Sequence, residues 1–334
     1  MSLKELAKDL KSYPGITRKK TISEVLNFFP NTPHSKVLAA YGEDAAVLDY
    51  GDSVLLLAAD GIMESLLKAN PWFAGYYSIL VNINDISAMG GIPLALVDVI
   101  SMKDERICGQ VMRGMECAVE KFGVPVVGGH THPDCRYDAV DVAILGTARK
   151  DAVIYSHTAQ AGDDILFVMD LDGFYPEKLS YAWDTTSRKD AETVQRQMLL
   201  MNQVGSKHWV HSGKDMSNPG SIGTLGMLLE TSGKGGDVDL EKVPRPKGVD
   251  FAQWLKSYQG CGFVLTVPPK NSSKVLRAFS KEAVEGAVVG KVNSTRKLSM
   301  TQGKESLVLF DFNKEIITGC GPSRTPGGRA HPKK

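Results

Sequence analysis

The chain has 334 residues, enough for two domains with cores of their own, and its 43% hydrophobic and 23% charged content suits an ordinary globular protein. Lys and Arg number 39 against 38 Asp and Glu, which excludes a global field that would recruit nucleic acid or an acidic membrane. The longest apolar runs, such as VLLLAA and ILFVM, are strand-sized, so no membrane span is expected, and five scattered cysteines without a CxxC pair suit free thiols in a reducing cytoplasm.

In chain order, residues 1–29 read as short helices broken at Tyr13-Pro14-Gly15, with Leu3, Leu6, Ala7 and Leu10 on one stripe and the basic run Arg18-Lys19-Lys20 following. A hairpin is expected next: AAVLD (45–49), a turn at Tyr50-Gly51-Asp52-Ser53, then VLLLAA (54–59). Asn70-Pro71 opens a long helix that stops at Gly90-Gly91. The strand LALVDVIS, a helix over 104–122, and the strands VPVVGG and AVDVAILGTAR complete a βαβ-rich domain ending near residue 150. The segment YSHTAQAGDD (155–164) reads as a linker. DILFVMDL starts a second mixed domain, whose notable element is the glycine-rich helix opening in SNPGSIGTLGMLLETSG (217–233). The Gly-, Pro- and Lys/Arg-rich C-terminus reads as a flexible tail. The expected divisions are a helical, basic segment 1–36, domains 37–150 and 160–312, and a tail 313–334.

Common nucleotide loops are missing. The nearest approach to GxxxxGK[ST], Gly286-AVV-Gly290-Lys291, is one residue short and is followed by Val292; no GxGxxG follows a strand. Four other places can carry chemistry. A hairpin turning at 51–52 brings Asp44 beside Asp60, with Glu43 next to them. Such a pair either binds a divalent cation or consists of two polar strand ends in water. The helix after Pro71 is apolar nearly all round, yet carries Ser78, Asn82 and Asp85 on one stripe. A buried carboxylate there needs a metal or a basic partner. Lys214-Asp215 precedes a helix N-terminus able to face phosphate oxygens, although Gly220, Gly223 and Gly226 fit close helix packing equally well. Finally, VVGGHTHP (126–133) holds two histidines one residue apart, with Asp134 and Cys135 beyond, too few ligands for a zinc site on their own.

The order GEDAAV … AADG … NINDISAMGG … VVGGHT … KDMSNPG resembles the AIR-synthase-like superfamily, which includes aminoimidazole ribonucleotide synthetase, thiamine-monophosphate kinase, selenophosphate synthetase and a hydrogenase maturation factor. PWFAGY, GGHTHPD and SNPGSIGTLGMLLE further resemble the AIR-synthase-related second methanogenesis-marker family. The resemblance implies an α/β (α+β) fold of two domains, the first forming a barrel across a homodimer, with ATP and Mg²⁺ in the cleft. It implies Asp44, Asp60, Asp85 and Asp215 as metal ligands. It further implies Asn82 as a nucleotide contact and Gly128, Gly129, His130 and Thr131 as a turn close to the nucleotide. The expected activity is phosphorylation of an oxygen on a small-molecule substrate by a kinase or synthetase. Phosphoryl transfer needs positioning and charge neutralisation more than a dedicated base. Alternatives are thiamine-monophosphate kinase itself or an ATP-binding assembly factor without turnover. Several departures disfavour the characterised substrates: Glu43 replaces an aspartate, no cysteine precedes Cys108, Cys320 is not terminal, and Asp60-Gly-Ile-Met-Glu64 lacks the histidine of the thiamine-kinase pattern. The basic N-terminal run suits a partner, a phosphorylated substrate or plain solvated charge.

Overall fold

The structure is a computed structural model that describes residues 1–29, 34–258, 260 and 262–321. Helix α1 (Leu3–Ser12) starts at a capping box in which Glu5 N donates to Ser2 Oγ and Ser2 N donates to the Glu5 carboxylate. Tyr13-Pro14 ends it, and α2 (Pro14–Thr17), a 3-10 turn (Arg18–Lys20) and α3 (Thr21–Phe28) follow without a long break.

The first sheet and its helices comprise β1 (Val37–Ala39), β2 (Ala46–Tyr50), β3 (Ser53–Gly61), α4 (Glu64–Ala69), α5 (Pro71–Ala88), β4 (Ile92–Ser101), α6 (Glu105–Phe122), β5 (Val126–His132) and β6 (Ala139–Arg149). The strands lie in the order β1-β2-β3-β6-β4-β5, and only the β4–β5 pair is parallel. Because β3 and β4 both run against β6, the C-terminal ends of β3, β4 and β5 share one edge of the sheet. One face packs on α5 and α6. Gly75 and Gly114 set that approach: a Cβ on Gly75 would lie 2.0 Å from Val111 O, and one on Gly114 2.0 Å from Trp72 O. The other face leaves apolar side chains open, including Leu57, Val97 and Val99.

The second half comprises β7 (Asp164–Met169), α7 (Ala191–Met198), α8 (Leu200–Ser206), β8 (Ser212–Asp215), α9 (Gly220–Ser232), β9 (Gly235–Asp239) and α10 (Phe251–Trp254), then β10 (Gly262–Val267), α11 (Pro269–Ser280), β11 (Glu285–Asn293), β12 (Lys297–Gln302) and β13 (Glu305–Asp311). Its seven strands are ordered β13-β12-β9-β11-β7-β10-β8, which leaves β8 at the edge. Every residue of α9 is buried, so its glycines serve close packing: a Cβ on Gly223 would meet Ile16 and one on Gly226 would meet Ile317.

Two segments depart from expectation. Leu6, Leu10 and Ile16 join the same core as Phe167, Ile222 and Leu228, so the N-terminal helices are part of the second half's packing. Residues 313–321, expected in a flexible tail, are packed: Ile317 is buried, and the buried Glu230 carboxylate accepts from Ile317 N, Thr318 N and Gly319 N. A carboxylate inside a core needs such donors, and they hold the chain here. Residues 322–334 lie outside the described residues.

Candidate active site

Four elements from the two halves carry the aspartates, bringing Asp44, Asp85 and Asp215 together and setting Asp60 and Asp215 on the wall of one cleft. The tight β2–β3 register, with Tyr50 opposite Ser53 and Ala46 opposite Leu57, carries the loop before β2 and the end of β3 to the same place. That loop turns at Gly42, whose φ of +101° a side chain would resist, and presents Glu43 and Asp44. Asp60 stands near the end of β3. Asp85 stands in the last turn of α5, a helix packed closely against α6. Asp215 ends β8, and its partner strand β10 fixes it through the Phe263–Asp215 register.

Oxygen atoms of Asp44, Asp85 and Asp215 all lie within 4.8 Å of one another. Asp60 is outside that tight trio but lines the same cleft as Asp215. Burial raises the carboxyl of Asp85 well above its ordinary value, with Asp60, Asp215 and Asp44 adding repulsion. Asp215 is pushed up to about 8 by burial and by Asp44, against the pull of Lys214. Asp44 and Asp60 are raised as well, burial being the main cause in both. These groups hold more negative charge than their surroundings balance.

Lys214 is the one buried cation in direct contact with the trio among the described residues. Its ammonium donates to Asp44 Oδ1, and Asp215 N donates to Asp44 Oδ2 at 3.4 Å. Burial opposes the Lys214 charge, yet Asp44 and Asp215 outweigh it and its pKa is raised. The sequence placed Lys214 before a helix N-terminus able to face phosphate oxygens; in the fold the lysine pairs with Asp44. Glu43 does not join the trio. Its carboxylate is fully buried, 2.5 Å from His157 Nδ1, and accepts from Ser156 N at 2.6 Å, which ties the loop before β2 to the linker.

The residues expected at the nucleotide are dispersed. Asn82 is fully buried; its Nδ2 donates to Ser78 O at 2.8 Å and its Oδ1 has no partner among the described residues. It does not line the cleft, whereas Asn84 and Val81 do. Asp85 sits on the boundary between the two helix faces, and the expected stripe followed the packed one. Gly128, Gly129, His130 and Thr131 form no turn: they lie within β5, the exposed edge strand, because pairing with Val97–Ile100 of β4 keeps the backbone extended. The register Asp60–Val142–Asp98–Gly129 places Gly129 in the same cross-strand row as Asp60. A Cβ on Gly129 would meet the Asp98 carboxylate, so Gly129 faces the helix side; alternation puts His130 on the opposite face beside Val99. The His130 and His132 rings meet edge to face with centroids 4.5 Å apart.

The cleft encloses about 690 Å³, a figure that includes open space at its mouth. Its other wall holds Arg18, Lys19, Ser217, Asn218 and Tyr258. Ser217 and Asn218 belong to the SNPGSIG motif read from the sequence, whereas no motif marks Tyr258 and the basic pair reaches the cleft through the packing of the N-terminal helices. An all-carboxylate, oxygen-donor set with raised pKa values fits a hard divalent cation such as Mg²⁺.

Comparison with known proteins agrees with this architecture. Residues 42–148 match the family described as AIR synthase related protein, N-terminal domain, and residues 169–302 match its C-terminal domain. An uncharacterized protein of Methanocaldococcus jannaschii is 44% identical over 96% of this chain and 100% of its own length. Among solved structures, T. maritima PurL complexed with ADP superposes with a TM-score of 0.73 at 18% identity, covering 92% of this chain and 49% of that one. This chain therefore spans about half of PurL. AaThiL complexed with AMPPCP and TMP gives a TM-score of 0.65 at 17% identity, covering 93% and 99%.

Proposed function

The chain belongs to the AIR synthase related family, and from that premise we propose that it is an Mg²⁺- and ATP-dependent enzyme that phosphorylates an oxygen of a small molecule. The observation that carries this reading is the Asp44–Asp85–Asp215 trio, whose oxygens lie within 4.8 Å of one another and whose Asp215 lines the cleft. Proteins sharing the fold are described as complexes with ADP, ATP and AMPPCP, which supports a nucleotide as the ligand.

Asp44, Asp85 and Asp215 would hold the metal, with Asp60 beside them. Bound Mg²⁺ neutralises charge on phosphate oxygens and orients them for displacement. The chain's own residues do the rest. Lys214 favours the ionised form of Asp44 against its burial, and Glu43, locked by His157 and Ser156, fixes the loop that carries Asp44. Asn84, Ser217 and Asn218 offer neutral polar groups at the cleft wall, suited to orienting a hydroxyl or carboxylate acceptor. Burial of the trio removes water that would compete with the acceptor.

Self-association belongs to the same proposal. The outer face of the first sheet exposes Leu57 on β3 and Val97 and Val99 on β4, the two strands flanking β6, an apolar surface that a second copy would cover. Light scattering on the purified protein tests this, and a monomer at micromolar concentration would refute it.

The function itself is tested by titrating AMPPNP into the protein with and without Mg²⁺, for the natural chain and for Asp85→Asn. Metal-dependent binding lost in the variant supports the site. ADP release with candidate acceptors then separates an enzyme from an assembly factor that binds ATP without turnover.

A further inference from the structure

The cleft contains two positive charges that take no part in the aspartate trio. Arg18 and Lys19 stand in the 3-10 turn between α2 and α3 and line the cleft together with Asp60 and Asp215. Among the described residues, neither forms a salt bridge. Arg18 Nη1 points at the Met63 sulfur, 2.7 Å away, and a thioether is a weak acceptor. Lys19 feels Asp60 and Asp215 without touching them, and burial holds its ammonium below its ordinary value. A partly desolvated cation without a contact partner is unfavourable until an anion completes it.

The pair is built in. A Cβ on Gly15 would lie 2.3 Å from Asn218 O, and Ile16 packs against Gly223 at the first turn of α9. Lys256 Nζ holds Asp9 at 2.8 Å, and Lys11 Nζ holds Glu315 at 2.9 Å. The N-terminal segment therefore fixes the two charges on the second half, opposite α4 and the end of β3. Beyond them, Tyr258 and Met216 line the cleft together with Ile62, Met63, Leu66 and Val81. This apolar flank favours a ring or hydrocarbon portion over a second charged group.

We infer that Arg18 and Lys19 form the acid-binding subsite of the acceptor substrate, a small molecule carrying its own carboxylate or phosphate and an apolar or ring-bearing body directed toward Tyr258 and Leu66. This rests on reading the aspartate trio as the metal–nucleotide site, and it assigns the acceptor's chemical class. The competing anion is the nucleotide's own phosphate chain, so the experiment must separate the two.

The probes are inorganic phosphate, phenyl phosphate and benzoate, titrated calorimetrically into the full chain with and without saturating Mg–AMPPNP. In the natural protein a ring-bearing acid is expected to bind more tightly than inorganic phosphate. The ranking of phenyl phosphate against benzoate tells a phosphate from a carboxylate subsite. In Arg18→Gln/Lys19→Gln the ring-bearing acid is expected to weaken by about tenfold or more, as loss of charge-assisted hydrogen bonds implies. AMPPNP affinity is expected to stay within about threefold, a change worth less than about 0.7 kcal/mol. Lys20→Gln, an exposed neighbour, serves as control and should bind like the natural chain. A parallel loss of AMPPNP and acid in the double variant assigns the two cations to the nucleotide and overturns the inference. Unchanged acid binding in a variant with a normal melting curve overturns it as well, as does absence of acid binding in the natural protein. If AMPPNP fails to bind the natural chain, the nucleotide reading fails on its own, and the nucleotide-free titration still decides whether Arg18 and Lys19 bind acids.

Discussion

Asp85→Asn should make the metal-free protein more stable while removing its response to Mg²⁺. The Asp85 oxygen lies no more than 4.8 Å from oxygens of both Asp44 and Asp215. Two unit charges at that distance repel by about 3–4 kcal/mol at an effective dielectric of about 20. Lys214 offsets roughly one of the two repulsions, leaving about 3–4 kcal/mol against an ionised Asp85. Protonation caps the cost independently: keeping a carboxyl neutral from its ordinary value near 4 up to pH 7 costs about 4 kcal/mol. The isosteric amide carries no charge and avoids most of this, so a gain of about 2–4 kcal/mol is expected in EDTA at pH 7. The assay is denaturant unfolding in EDTA beside melting curves with increasing Mg²⁺ and AMPPNP. The natural protein should gain about 2.7 kcal/mol when ligand reaches a hundred times its Kd, and Asp85→Asn should gain almost none. A variant less stable than the natural chain in EDTA, or one with the full Mg²⁺ response, would refute the reasoning.

Three further outcomes follow from the same geometry. The Asp215 carboxyl is pushed up to about 8, so between pH 4 and 8 the folded state binds more protons than the unfolded chain; stability present below about pH 4 should therefore fall as pH rises to about 8. Saturating Mg²⁺, which needs ionised carboxylates, should flatten or reverse that slope in melts across the range. Lys214→Met leaves Asp44 buried without its cation and should cost about 3–5 kcal/mol in EDTA, measured by urea unfolding, whereas a loss under about 1 kcal/mol would show that the pair is not integral. Gly75→Ala forces α5 away from Val111 O and should cost about 1–3 kcal/mol while weakening Mg²⁺ binding, since Asp85 moves with the helix; calorimetry on the variant reads both effects.

Local pattern carried much of the architecture. The Asn70-Pro71 start placed α5 correctly because its cap is a contact within one turn, where Asn70 Oδ1 accepts from Phe73 N. The Gly51-Asp52 turn set the β2–β3 register, and with it the approach of residues 44 and 60, because a two-residue connection permits few alternatives. Motif order reached the aspartates for the same reason: each lies at the end of an element whose limits are local. What failed was direction about an axis and contact across the chain. Asn82 and Asn84 look equivalent in sequence and both are buried, but α5 encloses Asn82 completely and places Asn84 on the cleft wall. Gly128–Thr131 reads as a loop until pairing with β4 keeps it extended and points His130 away from Gly129. Glu43 finds His157 more than a hundred residues away, and Arg18 and Lys19 reach the cleft only because Ile16 packs against Gly223. Hydrophobic period and turn chemistry act between neighbours and determined the elements, their order and the four carboxylates. Which side chains face one another across the cleft was decided by long-range packing, because burial selects among faces that the sequence leaves degenerate.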